Sequence, residues 1–516
     1  MRRSITLAVC MLALAGAATT ATLVIGRPVG ARAAETTTDM ASAEAALKRG
    51  DYSAALALIK PLAEKGDARA QYRLGTLYAQ GLVGPKNVAL AVEWLGKAAA
   101  QNETAAQALL GRLYLNGAGV PRDFTLAAKW LRQAAQNGDA RAQYELAQLY
   151  EKGAGVAQDR QAALKWLHAA ADKGLAAAQF ELSVIYSRGR GVAQDNATAL
   201  KWLTAAAENK HPLAQFFLAY NYSKGSGVPQ DDVKAFTWYL AAAESGLVKA
   251  QRIVGGLYLE GKGTERNAAE AFKWSMKAAE HGDAGAQSNL GFMYATGTGA
   301  PRDDAEAAAW YRKASDRGLA RAQTALAYFY ETGRGVARDT AEAIKLYRRA
   351  ALAGDANAQV KLGGLLALDQ GKEEDRADAV RWIAKSAEHG DKNALAWLER
   401  VAANGSAAAQ ARLADLYARG KGVAENGDKA LALLQSAAEG GDPLAQLGLG
   451  LRYASGTGVE QDYVRAHLWA NLAAAAGNAD AVKSRDAIAQ HMTAAQVSEA
   501  QRLAREWIAK HGQITR

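Results

Sequence analysis

The sequence predicts an all-α protein, a right-handed α-solenoid of about eleven 36-residue helix–turn–helix repeats closed by capping helices. Three observations carry this expectation. The pair Ala-Gln recurs at Ala70, Ala106, Ala142, Ala178, Ala214, Ala250, Ala286, Ala322 and Ala358, each 36 residues after the last, and returns at Ala409 and Ala445. A fixed period of this length marks stacked helix pairs that cannot bury their apolar faces alone. Within a period the apolar residues fall at helical spacing, and glycine and aspartate fall where helices stop and start.

The stretch from Ala142 to Ala177 shows the logic of one unit. Leu146, Leu149 and Tyr150 continue the apolar stripe of a first helix. Gly153 and Gly155 then stop it, because glycine takes the left-handed cap conformation without steric cost. Asp159 precedes the second helix and is placed to accept hydrogen bonds from its free amides. Ala163 and Trp166 lie on that helix's stripe, and Gly174 ends it.

These columns persist along the chain. The cap position reads Asn87, Asp123, Asp159, Asp195, Asp231, Asn267, Asp303, Asp339, Asp375, Asn426 and Asp462, all of them residues that an N-cap favours. Four places later every unit has alanine, from Ala91 to Ala466, as expected where two helices approach too closely for a larger side chain. Ala199→Leu is accordingly expected to overpack a repeat interface and cost about 1–3 kcal/mol. Tyrosine closes ten of the eleven first helices, with Leu366 the exception, and tryptophan fills its column in nine units. Circular dichroism is expected to show a mostly helical protein.

The domain plan follows. Residues 1–33 read as an export signal: Arg2 and Arg3, a charge-free apolar stretch from Ile5 to Ile25, and small-residue cleavage sites at Ala15–Ala17 and Ala31–Ala33. The stretch is also long enough to be an uncleaved anchor, and both readings place the rest of the chain outside the cytoplasm. Residues 34–69 form an N-terminal, tetratricopeptide-like capping half-repeat, 70–393 nine repeats, 394–408 an inserted single helix, 409–480 two repeats and 481–516 C-terminal capping helices. The insertion makes a 51-residue step from Ala358 to Ala409 and is a candidate for a bend. Unit nine loses its glycine loop at Leu368–Lys372. Thr493-Ala494-Ala495-Gln496 is a capping box that opens a last helix to about Lys510.

Composition narrows the functions. Hydrophobic residues make up 50% and charged residues 22%, which fits a folded chain. Of the ten net positive charges, Arg2, Arg3, Arg27 and Arg32 supply four, leaving +6 over more than 480 residues. That is too dilute for nucleic acid, which needs basic residues clustered on one face. Cys10 is the only cysteine, so beyond the signal there is no disulfide, thiol nucleophile or cysteine-bound metal. The seven histidines (His168, His211, His281, His389, His467, His491 and His511) are scattered, and none has a second ligand at helical spacing. The glycine loops follow helices and recur in nearly every unit, so they read as turns and not as phosphate cradles. Glu373-Glu374-Asp375 reads as solvated charge. No catalytic residue, metal site or cofactor is expected.

The pattern Ala-Gln-x-x-Leu-Gly-x-x-Tyr-x-x-Gly-x-Gly-Val, followed by Asp, Ala, Trp, Ala-Ala and Gly, resembles the Sel1-like repeat family over roughly residues 40–480. The opening motif Gly50-Asp51-Tyr52-Ser53-Ala54-Ala55-Leu56 resembles a tetratricopeptide turn. The resemblance implies a curved solenoid with first helices on the concave side. It also implies an adaptor in protein assemblies, often in bacterial envelopes and in some cases tied to exopolysaccharide regulation, envelope signalling or host contact. One branch of the family acts on β-lactams with disulfide-stapled repeats, which this chain has no cysteines to form.

On that expectation the best functional signal is a set of aromatic residues at the third and seventh places of the first helices. Tyr144, Phe180, Phe216, Tyr220, Phe292 and Tyr328 fall there, with Phe217 adjacent. Places four apart share a helix face. The set is either a trough that grips a protein partner, membrane-bound or secreted, or packing between neighbouring first helices. Aromatic faces also suit sugars, so a glycan stays open as ligand. The expected role is a non-catalytic binding scaffold in the periplasm or at the cell surface.

Overall fold

The computed structural model describes residues 39–368 and 373–512. The segment read as an export signal, with Cys10, and most of the loop expected at 368–372 lie outside the described residues. Among those residues the chain is all helix, 27 in number, with no strand. It divides into two compact units, one ending at Trp166 and the other starting at Leu167.

In the first unit Met40–Lys48 and Tyr52–Glu64 precede the repeats, so the N-terminal cap is a helix pair in its own right. Each helix packs on the one before and the one after it. In the second unit the same order runs from Ala176–Arg188 to Ala479–Ala489, and the last helix, Ala494–His511, packs back on Tyr463–Ala475. There Val248–Glu260 also touches Ala284–Thr296, so successive first helices lie side by side. The C-terminal cap is two helices, Ala479–Ala489 and Ala494–His511. The second opens on the expected capping box.

Backbone bonds explain why the period is so regular. In ten units the cap residue's N–H donates to the carbonyl of the tyrosine that closes the first helix, as from Asp159 to Tyr150 at 3.0 Å. The cap side chain then accepts from the second helix's first amides: Asp159 Oδ1 from Gln161 (3.0 Å) and Ala162 (2.9 Å). Asp375 departs from this role. The second helix of unit nine begins at Glu373, so Asp375 lies within its first turn.

The glutamine of Ala-Gln has a function that periodicity does not reveal. In all eleven units its Nε2 donates to the carbonyl eight residues earlier, from Gln71 to Ala63 at 3.1 Å through Gln446 to Ala438 at 3.2 Å. The last carbonyls of a helix have no partner within it. Each glutamine supplies one for the preceding helix and thereby ties successive units. The inserted helix, Lys392–Ala403, fits this scheme: Gln410 caps its Ala402 carbonyl as the others cap a second helix.

The alanine column is buried as expected, with Ala91, Ala127, Ala271, Ala307, Ala343 and Ala466 fully so. The tryptophan column is mostly half-buried, Trp274 and Trp382 being the buried members. Gly153 (φ +67°) and Gly155 (φ +70°) adopt the expected left-handed conformation. A Cβ on Gly155 would stand 2.1 Å from the Phe124 carbonyl oxygen, so this glycine is also required by close approach of the preceding unit. Tyr150 is half-buried and accepts from Arg132 at 3.1 Å; Ala163 is buried, and Trp166 is half-buried against the core cluster that contains Leu146 and Leu149.

Candidate protein-binding surface

The first helix of unit five, Pro212–Lys224, buries Ala214, Gln215, Leu218 and Ala219 against its neighbours. The residues between them face outward or across to the next unit. The structure separates the third and seventh places, which the sequence groups together. At the seventh place Tyr220, Phe292 and Tyr328 are 46%, 50% and 42% exposed. At the third place Phe216 is only 7% exposed. It meets Tyr239 edge-on at 5.4 Å, and the Lys249 ammonium lies 5.3 Å above its ring. Phe216 is therefore core and not trough, because the third place reaches across to its own second helix and under the next first helix. Burial also holds the Tyr239 phenol above its ordinary range.

Phe180 is half-buried and stacks on His211 at 4.5 Å and on Phe217 at 6.1 Å. The structure thus brings Phe180, Phe216, Phe217 and Tyr220 together on adjacent first helices. Phe217, beside the expected positions, is 44% exposed. Phe292 and Tyr328 lie on later first helices of the same compact unit, with the Lys361 ammonium 5.5 Å from the Tyr328 ring. Tyr144 belongs to the unit before Trp166 and is half-buried.

Two cavities flank Phe217. One, of about 440 Å³, lies between units four and five against Phe180, Leu200 and Leu203. The other, of about 450 Å³, lies between units five and six against Phe216, Tyr220 and Ile253. Both place aromatic and aliphatic carbon beside a few polar groups, the composition of a recognition surface.

His211 holds this region by a hydrogen bond that needs the neutral ring. Its Nδ1 accepts from the Ala214 amide at 3.3 Å, capping the first helix of unit five. Burial lowers its pKa from 6.5. The unfolded chain then binds the proton more readily than the folded one, so stability falls as pH drops below about 6.5. His467, buried with an unpaired Nδ1 and likewise lowered by burial, acts in the same sense. The melting temperature is expected to fall between pH 7.5 and 5.5, and to fall less in His211→Asp, whose carboxylate still caps at the lower pH. An equal fall in both proteins would remove His211 from the account.

Among the described residues no group of three His, Cys, Asp or Glu side chains could hold a metal ion. No described helix is long and apolar enough to cross a membrane. Of the remaining histidines, His168 pairs with the Tyr186 hydroxyl at 3.1 Å and His281 ends the second helix of unit six. His511 stacks on Trp507 at 4.4 Å.

The family model described as Sel1 repeat matches eleven consecutive or near-consecutive segments from residue 68 to residue 478, with a gap only at 392–406. Among solved structures the chain is similar to a protective antigen of uropathogenic Escherichia coli that displays an SLR fold. The two are 34% identical over 88% of this chain and 94% of that one, with a TM-score of 0.61. It is also similar to a Sel1 repeat protein of Oxalobacter formigenes, 34% identical over 66% of this chain and 97% of that one, with a TM-score of 0.42. Among curated protein sequences none matches the chain.

Proposed function

The chain belongs to the Sel1 repeat family, whose members generally mediate protein–protein interactions, and from that premise we propose that it is a non-catalytic scaffold of the bacterial cell envelope, exported to the periplasm or cell surface. The observation that carries this reading is the set of aromatic residues, Tyr220, Phe292 and Tyr328, that the first helices of one compact unit leave about half exposed to solvent. Exposed aromatics on a rigid surface favour association because little freedom is lost on binding. The basic start and apolar stretch of residues 1–33 support export. That the similar E. coli protein is a protective antigen supports the same placement.

The test is capture from an envelope extract with residues 34–516 as bait, beside a Tyr220/Phe292/Tyr328→Ser bait of equal melting temperature. A protein held by the first bait and lost from the second is expected. Capture unchanged by the substitutions would move the binding surface elsewhere. Capture of oligosaccharide and of no protein would replace the scaffold reading with a glycan-binding one, such as an exopolysaccharide accessory.

A further inference from the structure

We infer that the cleft between units four and five is a pocket for a bulky apolar side chain carried on an acidic peptide segment of the partner. This rests on the scaffold reading above and names what the surface would grip.

The cleft differs from its neighbours in how the units meet. In the three loops that follow, the second glycine docks on the first residue of the preceding unit's second helix. A Cβ added to Gly263, Gly299 or Gly335 would lie 2.0, 2.1 or 2.0 Å from the carbonyl oxygens of Asp232, Ala268 and Asp304. At Gly227 the same Cβ would find nothing within 4 Å. The loop Gly225-Ser226-Gly227 thus stands off Asn196, where the preceding second helix starts, and the cavity of about 440 Å³ fills the gap. Two members of the buried columns turn toward it. Ala199, like Ala163, is 7% exposed, against 0% for Ala271, Ala307 and Ala343, and Leu203 is 8% exposed, against 0% for Leu95 and Leu131 in the same column.

Phe217 occupies a place where the next four units carry Ile253, Asn289, Ala325 and Lys361. It continues a ring stack from His211 through Phe180, and the three aligned rings make a rigid wall at this joint. The pocket is therefore preformed, which lowers the ordering cost of a ligand.

Charge indicates the occupant. Arg188 is the one charged residue lining this cavity, and no described carboxylate pairs with it. Around the adjoining cavity Lys224 and Lys249 also lack a carboxylate partner, while Lys262 lies 3.6 Å from Asp232. Glu260 is the one unpaired acid there. Three cations without a carboxylate partner, against one carboxylate without a cation, favour an acidic segment. The Asn196 and Asn221 side chains line the same cavity and offer hydrogen bonds to a peptide backbone.

This geometry reverses the expectation for Ala199→Leu. The three added carbons enter the open cavity and obstruct its wall, where at Ala271 or Ala307 they would overpack. The experiment measures fluorescence anisotropy of the full chain with labelled 12-residue peptide pools. One pool carries a central Leu or Phe flanked by Asp and Glu, a second the same anchor flanked by Lys and Arg, and a third the acidic flanks around Gly. Binding of the first pool alone is expected. Ala199→Leu should weaken it at least about tenfold with an unchanged melting temperature, and Arg188→Glu, an exposed change, should weaken it severalfold. Equal binding of the basic pool, no binding of any pool, or affinity untouched by both variants would overturn the inference. If Ala199→Leu melts early, Arg188→Glu alone decides. Envelope capture with the Ala199→Leu bait separates the two readings. A partner still captured leaves the scaffold standing and the cleft without a role, and no capture by the unaltered chain removes the scaffold itself.

Discussion

Replacing Gly335 by alanine is expected to destabilise the second compact unit by about 3–5 kcal/mol, whereas the same change at Gly227 should cost only about 1 kcal/mol. The two glycines have nearly the same conformation, φ +66° and +74°, so each alanine suffers a similar left-handed backbone penalty. They differ in what the new methyl meets. At Gly335 it would stand 2.0 Å from the Asp304 carbonyl oxygen and 2.3 Å from its carbon. Both sides of that clash are backbone, so no rotamer change relieves it. The joint is further tied by Arg334, which pairs with the Asp304 carboxylate at 2.7 Å and donates to the Ala295 carbonyl. These contacts hold the Asp304 carboxyl well below the usual carboxylate range. Urea unfolding of both variants measures the difference directly. Equal losses would mean that Gly227 also docks and that the cleft beside it is not open in solution.

Phe216→Ala is expected to cost about 3–5 kcal/mol, the loss typical of truncating a core phenylalanine. The ring is 7% exposed and wedged against Tyr239 and Phe217, under Lys249. Truncating it removes these contacts and leaves a void that the flanking helices cannot close without moving. By contrast, Tyr220, Phe292 and Tyr328 are about half exposed, and their joint replacement should leave the unfolding midpoint nearly unchanged. A Phe216→Ala protein with wild-type stability would return this residue to the binding surface. The pair of results also guards the capture experiment, since lost binding is informative only where the fold survives.

The repeat, its eleven copies, the caps and the alanine column were legible in the sequence because each is enforced within one unit. Asp159 needs only the next three residues to cap a helix, and Gly153 only its own φ to end one. A sequence with period 36 therefore repeats these local solutions, and the all-α solenoid follows from them. Asp375 shows the limit even here: the residue type is right, but the helix begins two residues earlier at Glu373, where the regular loop is lost.

What only the tertiary structure decided is everything that depends on the distance between units. The role of the recurring glutamine required seeing that the carbonyl eight residues back belongs to a helix end lying against it. The third and seventh places share one helical face, and periodicity alone assigns them the same environment. They part because Tyr239 and Lys249 converge on Phe216, while Tyr220 is left about half exposed. The alanine column likewise predicts one response to enlargement at every unit. The standing-off of Gly227 makes Ala199 the wall of a cavity instead. Local hydrogen bonding and helical spacing are written in each repeat, but the width of a joint is set by side chains from three helices at once. No single unit of sequence contains that information.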